Sequence, residues 1–462
     1  MARLLRAVIF IAFIFSAKGV VAAGTNWYVH KGATGSNNGT SWTNAWNEMN
    51  QISFSTVACG DTVWLAGGTY TTSMTINKAC TAVSVLNIFR VLSTDLVPTA
   101  AAGWNSSFDS QVVFNNTEID FTGGSAYVTM DGRIGDPING NYTLGISIQS
   151  TGNNYAILET NSGPSNSHIT FAHIEAFGPS CVAAGNCSAT ADALGLHNFS
   201  NPSTFVTIDH CWLHRWAEII NNSGDTNFTL QYSQLDTDVT TTAEHADIAY
   251  VNGGTNYIIR YNRIYSSQAD GFLFESGNTY TSMDWYGNLI YHSGGSLIDF
   301  KSGSTCSGIH LYNNVFLDDG QDGYGGVHPS FLYFQSALTG TSAVENNVFQ
   351  GVRWNVGAIP TQDYNAFDTA TGKQDTGPHS FTYTIGNQFV NSPSSSNPNA
   401  ADFRLTSTGA TTFQNGVTLS APYNVDADGN IRGASGHWYI GESQFGSGSG
   451  PQPPTGLLAT VQ

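Results

Sequence analysis

The fold is decided by the stretch Tyr286-Gly-Asn-Leu-Ile-Tyr-His-Ser-Gly-Gly-Ser-Leu-Ile-Asp-Phe-Lys-Ser-Gly, residues 286–303, because its parts recur along the chain. Its opening pattern has two polar residues flanked by apolar ones, and the starts of successive copies are 37, 24, 29, 25, 26 and 33 residues apart. The seven copies begin at Phe171, Ile208, Tyr232, Tyr261, Tyr286, Tyr312 and Glu345. One unit therefore takes about 25 residues, with insertions in some units, which is the signature of a solenoid of stacked repeats.

A second strand aligns within the same units, at Phe272-Leu-Phe-Glu, Ile298-Asp-Phe-Lys and Leu332-Tyr-Phe-Gln. Apolar residues at helical spacing are missing from this region, while Gly and Asn separate the short strands. Two to three short strands per unit predict an all-β chain folded as a right-handed parallel β-helix. The recurring Asn262, Asn313 and Asn346 predict an internal turn where stacked amides hydrogen-bond along the axis.

The chain has 33 acidic and 15 basic residues and a formal net charge of −18. This balance makes nucleic acid a poor partner, because binding to phosphates needs Lys and Arg. It would also repel a polyanionic glycan at long range, unless bound cations or a local basic group reverse the field. An uncharged glycan meets no such objection.

The amino-terminal residues have the pattern of a secretory signal peptide, with Arg3 and Arg6 before an apolar run over residues 7–15. This run is too short to span a bilayer, which takes about 20 residues. We therefore predict a signal peptide at residues 1–23, a β-helix at 24–445, and a Gly/Ser/Pro linker with a truncated fibronectin-III-like strand at 446–462. The protein is expected to be secreted, with attachment to the cell surface left open, and to have no membrane span.

Six cysteines in an exported chain of this length suggest one or two disulfides. The local pairings predicted are Cys59 with Cys80 and Cys181 with Cys187. Cys211 and Cys306 lie several units apart, so we expect them to be separate buried thiols.

The ends of the repeat region resemble those of pectate-lyase-like β-helix proteins. Residues 28–42, the helix-like 44–52 and 60–70 resemble the amino-terminal entry of that group, and residues 401–440 resemble its closing region. The resemblance covers roughly residues 25 to 445. It implies a right-handed parallel β-helix with a short amino-terminal capping helix, and extracellular polysaccharide as substrate or partner.

The alignment of the second strand also brings together residues that can carry chemistry. Alternation along a strand turns Phe274, Phe300 and Phe334 inward. Two outward columns follow from the same alternation, one with Glu275, Lys301 and Gln335 and the other with Leu273, Asp299 and Tyr333.

Two reactions fit these columns. A polysaccharide lyase needs a base to remove the proton next to a uronic carboxylate, and Lys301 or Tyr333 can serve. A glycoside hydrolase needs paired carboxylates, which Glu275 and Asp299 can supply. The simplest alternative is that Glu275 and Lys301 only form an ion pair between neighbouring coils.

Residues 294–302 resemble the stretch that carries the lysine base in the alginate lyase and chondroitinase B group of β-helix enzymes. This sequence departs from that group at Ser293 and Ser296, where the group has an Asn before the glycines and acidic calcium ligands after them. It also has no Arg between Lys301 and Arg353, although the group places one on the following coil.

Further acidic and histidine residues lie in turns and loops. The acidic residues of successive turn regions predict oxygen ligands for Ca²⁺, with solvated carboxylates as the alternative; these are Asp236, Asp238, Asp247 and Asp270. His328, with Asp318 or Asp319, is a catalytic candidate in a long Gly-rich loop, which is otherwise a flexible connection. His210 and His214 are expected on a strand face rather than at a metal.

The sequence therefore favours a secreted, monomeric polysaccharide lyase that acts on a uronic-acid-containing polysaccharide by β-elimination. A glycoside hydrolase is the second reading. A non-catalytic glycan-binding or scaffold protein is the third, because β-helices host all of these functions.

Overall fold

A computed structural model describes residues 24–149, 156–159, 164–178, 194–197, 201–216, 218–236, 246–318, 331–391 and 402–445. Three long parallel sheets run through these residues, and each coil contributes in turn a strand to sheet A, sheet B and sheet C. The predicted right-handed parallel β-helix is confirmed.

The strands of each sheet follow one another in chain order along the axis. Sheet A has thirteen strands: Asn26–Val29, Thr62–Leu65, Leu86–Arg90, Ala126–Asp131, Ser167–Ala172, Thr204–Asp209, Thr229–Gln231, Gly254–Arg260, Thr279–Tyr286, Thr305–Tyr312, Leu338–Thr339, Ala343–Glu345 and Thr361–Asp363. Sheet B has twelve: Gly68–Tyr70, Val112–Asn115, Ile146–Gln149, Ile174–Phe177, Trp212–His214, Gln234–Asp236, Arg263–Ser267, Leu289–Ser293, Val315–Leu317, Val348–Gln350, Ala366–Asp368 and Phe381–Tyr383. Sheet C has ten: Met74–Ile76, Ile119–Phe121, Ile157–Glu159, Leu194–His197, Glu218–Asn222, Ala249–Val251, Phe272–Phe274, Ser296–Phe300, Phe331–Phe334 and Arg353–Val356.

Helices are few and short among the described residues. They are the α-helices Leu96–Thr99 and Ser407–Phe413 and the 3₁₀-helices Met49–Gln51, Ser106–Phe108 and Pro137–Asn139. A two-stranded antiparallel sheet pairs Phe389–Asn391 with Asp402–Leu405. Within the described part of the chain, no helix has the length and apolar character needed to cross a membrane.

The core lies inside the coils, where inward side chains of the three sheets meet. Phe274, Phe300 and Phe334 stand in register on neighbouring sheet C strands, as predicted, and are at most 1% exposed. The rings of Phe274 and Phe300 stack at 4.2 Å, and Trp285 of sheet A meets Phe272 edge-on at 4.6 Å. These contacts fix the register because a one-residue slip would turn every ring to the outer face.

An internal asparagine ladder joins the coils at the turn between sheets A and B. Its buried amides are linked by side-chain hydrogen bonds of 3.0 to 3.1 Å. The members are Asn262, Asn288, Asn314, Asn347 and Asn365. The predicted ladder was therefore correct in kind and at Asn262, but one residue early at Asn313 and Asn346.

Asn313 and Asn346 instead adopt the left-handed conformation, with φ of 56° and 59°, and turn outward. There they fasten the carboxy-terminal segment to the coils. Asn313 Oδ1 accepts from Trp438 Nε1 at 3.1 Å, and the amide of Asn346 exchanges two 2.8 Å hydrogen bonds with the backbone of Val417.

The amino-terminal cap holds the predicted disulfide between Cys59 and Cys80. Its predicted helical element is the single 3₁₀ turn Met49–Gln51. Cys211 and Cys306 are free and buried, as predicted. Several predictions lie outside the described residues: the signal peptide at 1–23, the tail at 446–462, the Cys181–Cys187 pair, Asp238, Asp319 and His328.

Candidate functional site

The predicted outward column forms on sheet C, where Leu273, Asp299 and Tyr333 occupy the same register on three neighbouring strands. Lys301 follows the strand Ser296–Phe300 directly, and its backbone N–H donates to Phe274 O at 3.0 Å. The regular ladder therefore holds the backbone of Lys301 in place, one coil from that of Glu275.

The side chain of Lys301 folds back along its own strand. Its Nζ lies 2.6 Å from Asp299 Oδ2 and 3.8 Å from Asp270 Oδ2. Gln335 Nε2 donates to the second oxygen of Asp299 at 3.3 Å. The Lys301 side chain remains 30% exposed, whereas that of Asp299 is 2% exposed. An accessible ammonium group is thus held by a buried carboxylate.

Asp247 and Asp270 extend this site, each two residues before a sheet C strand. Asp270 N donates to Asp247 Oδ1 at 2.9 Å, and Ser296 N donates to Asp270 Oδ1 at 2.5 Å. Gly295 permits the close approach, because a Cβ at this position would lie 2.5 Å from Asp270 Oδ1. We call Lys301, Asp299, Asp270, Asp247 and Gln335 the Lys301 cluster.

Burial and the neighbouring charges shift the protonation equilibria in this cluster. Burial, with the nearby Asp247 carboxylate, raises the pKa of Asp270 to about 6. Burial also raises the pKa of Asp299, since it outweighs the hydrogen bond from Lys301. The pKa of Lys301 is lowered by burial but raised overall by Asp299 and Asp270. At neutral pH the lysine is therefore an ammonium group.

Glu275 has a different set of partners from those expected. Its Oε2 accepts from Tyr250 OH at 3.0 Å, and its Oε1 accepts from Ser276 Oγ at 2.7 Å. Among the described side chains, the ion pairs of Lys301 are with Asp299 and Asp270, so the alternative of a Glu275–Lys301 pair is not what forms. Tyr333 lies one coil beyond Asp299 in the same column and is half-buried.

The residues predicted to bind calcium divide between two sheets. Asp236 lies on sheet B, where it accepts from Trp212 Nε1 at 2.6 Å and Gln234 Nε2 at 2.7 Å. Asp247 and Asp270 lie beside sheet C, where the Lys301 ammonium provides the nearby positive charge. Over the described ranges, no three His, Cys, Asp or Glu side chains form a group that could hold a metal ion. The described residues therefore do not fit a calcium site.

The remaining candidates lie apart from the Lys301 cluster. Asp318 is buried at the end of a sheet B strand. His214 lies on a sheet B strand, 3.2 Å from Glu175 Oε1, as expected for a residue on a strand face. His210 occupies the adjoining turn, with Nδ1 2.7 Å from Asp209 Oδ1.

The sequence analysis did not connect Asp270 and Asp247 with Lys301. A usable signal was present, because the register that pairs Phe272 with Ile298 also places Asp270 beside Ser296. Following that register two residues backward would have put Asp270 at the start of the strand that carries Asp299. What it could not show is that the long Lys301 side chain reaches back to it.

Comparison with known proteins returned no matching family model and no matching curated protein. Solved structures similar to this chain include a pectate lyase at 13% identity, covering 91% of this chain and 96% of its own, with a TM-score of 0.49. A rhamnogalacturonan lyase matches at 12% identity over 84% of this chain and 98% of its own, with a TM-score of 0.39. An alginate lyase from Paenibacillus sp. matches at 13% identity over 72% and 93%, with a TM-score of 0.32.

These low values carry no functional conclusion, so the class rests on the sheets themselves. Three parallel sheets, an internal asparagine ladder and a continuous core define a parallel β-helix protein. The predicted resemblance to the pectate-lyase-like β-helix group is confirmed at the level of the fold.

Proposed function

We propose that this chain is a secreted polysaccharide lyase that cleaves a uronic-acid-containing polysaccharide by β-elimination at the Lys301 cluster. One observation carries the proposal: a partly exposed lysine amino group is held on the outer face of sheet C by Asp299, with Asp270 beside it. The acidic chain needs a local cation to attract a polyanion, and Lys301 is a cation in a suitable place.

In the proposed reaction, neutral Lys301 removes the proton from the carbon next to the uronate carboxylate. The electron pair left behind forms a carbon–carbon double bond as the bond to the glycosidic oxygen breaks, and a proton returns to that oxygen. Asp299 orients the amino group but also favours its charged form. The rate should therefore rise with pH as the ammonium group loses its proton. Tyr333, one coil away, is the second candidate for the base.

One observation favours a glycoside hydrolase as the second candidate. Asp270 and Asp299 both contact the Lys301 ammonium, and burial raises the pKa of each. A protonated carboxyl near an ionised one is what acid-catalysed glycoside hydrolysis needs. This pair replaces Glu275 and Asp299, the pair first predicted, because Glu275 is engaged by Tyr250 and Ser276.

An extracellular setting belongs to the proposal. Its support is the signal-peptide pattern of residues 1–23 and the disulfide between Cys59 and Cys80, since disulfides persist in oxidising compartments.

The test is to incubate the protein with polygalacturonate, alginate and glycosaminoglycans and to follow the ultraviolet absorbance of the new double bond together with reducing ends. Lys301→Ala is compared with Lys373→Ala, a control lysine whose Nζ hydrogen-bonds Gly377 O. Absorbance that Lys301→Ala abolishes and Lys373→Ala retains supports the lyase. Reducing ends without absorbance indicate hydrolysis, and neither signal would leave the non-catalytic binding protein for these glycans.

A further inference from the structure

A second surface on the same coils has the features of a ligand site. On the outer face of sheet A, one residue per coil interrupts the strand register with a left-handed backbone. Phe205, Asn227, Asn256 and Ser282 occupy this position on four neighbouring coils, with φ between 55° and 59°. Asn tolerates this conformation, whereas a bulky aromatic residue rarely adopts it. The phenylalanine therefore stands out from its neighbours and calls for another explanation.

Phe205 ends a stack of three rings on this face. Tyr127 and His168 stack at 4.0 Å with an interplanar angle of 12°, and His168 and Phe205 stack at 4.3 Å and 15°. Burial lowers the pKa of His168, which favours its uncharged ring. Phe205 is nevertheless 46% exposed. A large apolar side chain is thus supported by its neighbours yet presented to solvent.

Beside Phe205 the surface is hollowed into a cavity of about 430 Å³. This volume lies within the about 300–1,000 Å³ of typical small-ligand sites. Hydroxyl and amide side chains line it together with Phe205, and they are contributed by Thr207, Thr229, Asn227, Asn256 and Ser282. We call this cavity the sheet A groove.

The ionisable groups around the groove favour an uncharged ligand. Asp284 is the one carboxylate among the lining residues, and it is held by His310 Nδ1 at 2.7 Å. Lysine and arginine are missing from the described lining residues. An anionic ligand would meet a carboxylate without a countercharge, in a chain of formal charge −18.

The chemistry of the lining selects among uncharged ligands. Hydroxyl and amide side chains both donate and accept, so they match the hydroxyl groups of a sugar. An exposed aromatic ring packs against the apolar C–H face of a sugar ring. Because the lining residues repeat at each coil, about 4.8 Å apart, the groove offers similar contacts to successive sugars of an extended chain.

We propose that the sheet A groove binds an uncharged linear polysaccharide, with Phe205 as the apolar platform. This inference does not rest on the lyase reaction, which is proposed for sheet C. The two surfaces would let one coil stack hold a neutral glycan on one face and act on an acidic glycan on another.

The test is affinity electrophoresis of the full chain in gels that contain soluble β-glucan, xylan, galactomannan or xyloglucan, with polygalacturonate as the charged comparison. Phe205→Asn removes the ring but keeps the residue type found at positions 227 and 256. Thr229→Arg fills the groove and adds a charge. Ile431→Ala, at another exposed apolar side chain, is the matched control. Thermal unfolding of each variant verifies that it is folded.

We expect at least one neutral polysaccharide to retard the parent, Ile431→Ala and Lys301→Ala equally. Phe205→Asn and Thr229→Arg should weaken that retardation by about tenfold or more, as loss of a central aromatic contact does. Retardation of the parent only by polygalacturonate, by no gel, or equally for the two groove variants would overturn the proposal. Because Lys301→Ala leaves the groove intact, failure of the lyase reaction and failure of the groove give different results.

Discussion

The Lys301 cluster on sheet C and the sheet A groove lie on different outer faces of the same coils, and their chemistry differs sharply. The Lys301 cluster concentrates charge, with an accessible ammonium group against buried carboxylates. The sheet A groove has open volume, an exposed ring and mostly uncharged polar side chains. The difference teaches that the repeat fixes where outward columns stand, while the residue types chosen for each column decide what it can bind.

The largest expected effect separates the shared interior from both outer faces. Phe300 is fully buried and stacks on Phe274 at 4.2 Å, so Phe300→Ala should lower the free energy of unfolding by about 3–5 kcal/mol. Phe205→Asn, on the exposed stack of sheet A, should change it by no more than about 0.5 kcal/mol. Urea unfolding followed by circular dichroism measures both. Equal losses would mean that the outer stack stabilises the fold as strongly as the core does.

The next effect tests whether the carboxylates of the two faces have different roles. Asp299→Ala should lower the elimination rate by about 100-fold, because a misplaced catalytic group costs that much. It should also move the rise of the pH–rate profile to lower pH, since Asp299 raises the pKa of Lys301.

The matched control for Asp299→Ala is Asp284→Asn on sheet A, which leaves the Lys301 cluster untouched. It should keep both the rate and the pH profile of the parent. A rate loss in Asp299→Ala without a shift of the profile would indicate a structural role for Asp299 rather than positioning of Lys301.

A smaller effect concerns stability against pH. Burial raises the pKa of Asp270 to about 6 in the folded chain, so the folded state holds this proton more tightly than the unfolded state. The stability that this gives is present below about pH 4 and is lost as pH rises through about 6. Relative to Asp270→Asn, the parent should therefore lose about 1–3 kcal/mol between these pH values.

The groups that face Asp270 are Asp247, Asp299, Lys301 and the backbone N–H of Ser296, and the asparagine can still accept from that N–H. On sheet A, the bond to Asp284 outweighs burial and raises the pKa of His310 above its usual 6.5. His310→Gln should therefore remove a loss of stability that falls at higher pH. Urea unfolding across the pH range measures both losses, and superimposable curves for Asp270→Asn and the parent would contradict the first.

The smallest effect concerns calcium at the Lys301 cluster. Because the ammonium group of Lys301 lies against Asp299 and Asp270, we expect chelation by EDTA to change the elimination rate by less than about twofold. The rate is measured with excess CaCl₂ and with excess EDTA. A large loss in EDTA that calcium restores would show that a bound ion, rather than Lys301 alone, supplies the positive charge.

Much of the fold followed from the sequence because its signals are local and repeated. The period of about 25 residues predicted the coils, and alternation predicted the inward register of Phe274, Phe300 and Phe334. The short spacing of Cys59 and Cys80 predicted their disulfide. The internal asparagines were harder, since the chain has adjacent pairs such as Asn313 and Asn314. Only the backbone shows which of the two takes the left-handed φ and turns outward.

By itself, the sequence determined the repeat, the inward stack and the presence of Lys301 and Asp299 in adjacent outward columns. The tertiary structure decided that Lys301 folds back onto Asp299 and Asp270 instead of pairing with Glu275. It also decided which outward columns stay open, because the carboxy-terminal segment covers part of sheets A and B, packing Tyr423 and Phe403 against them. The reason is physical: alternation and period act between neighbours in the chain, whereas side-chain direction and burial depend on segments that are far apart in sequence.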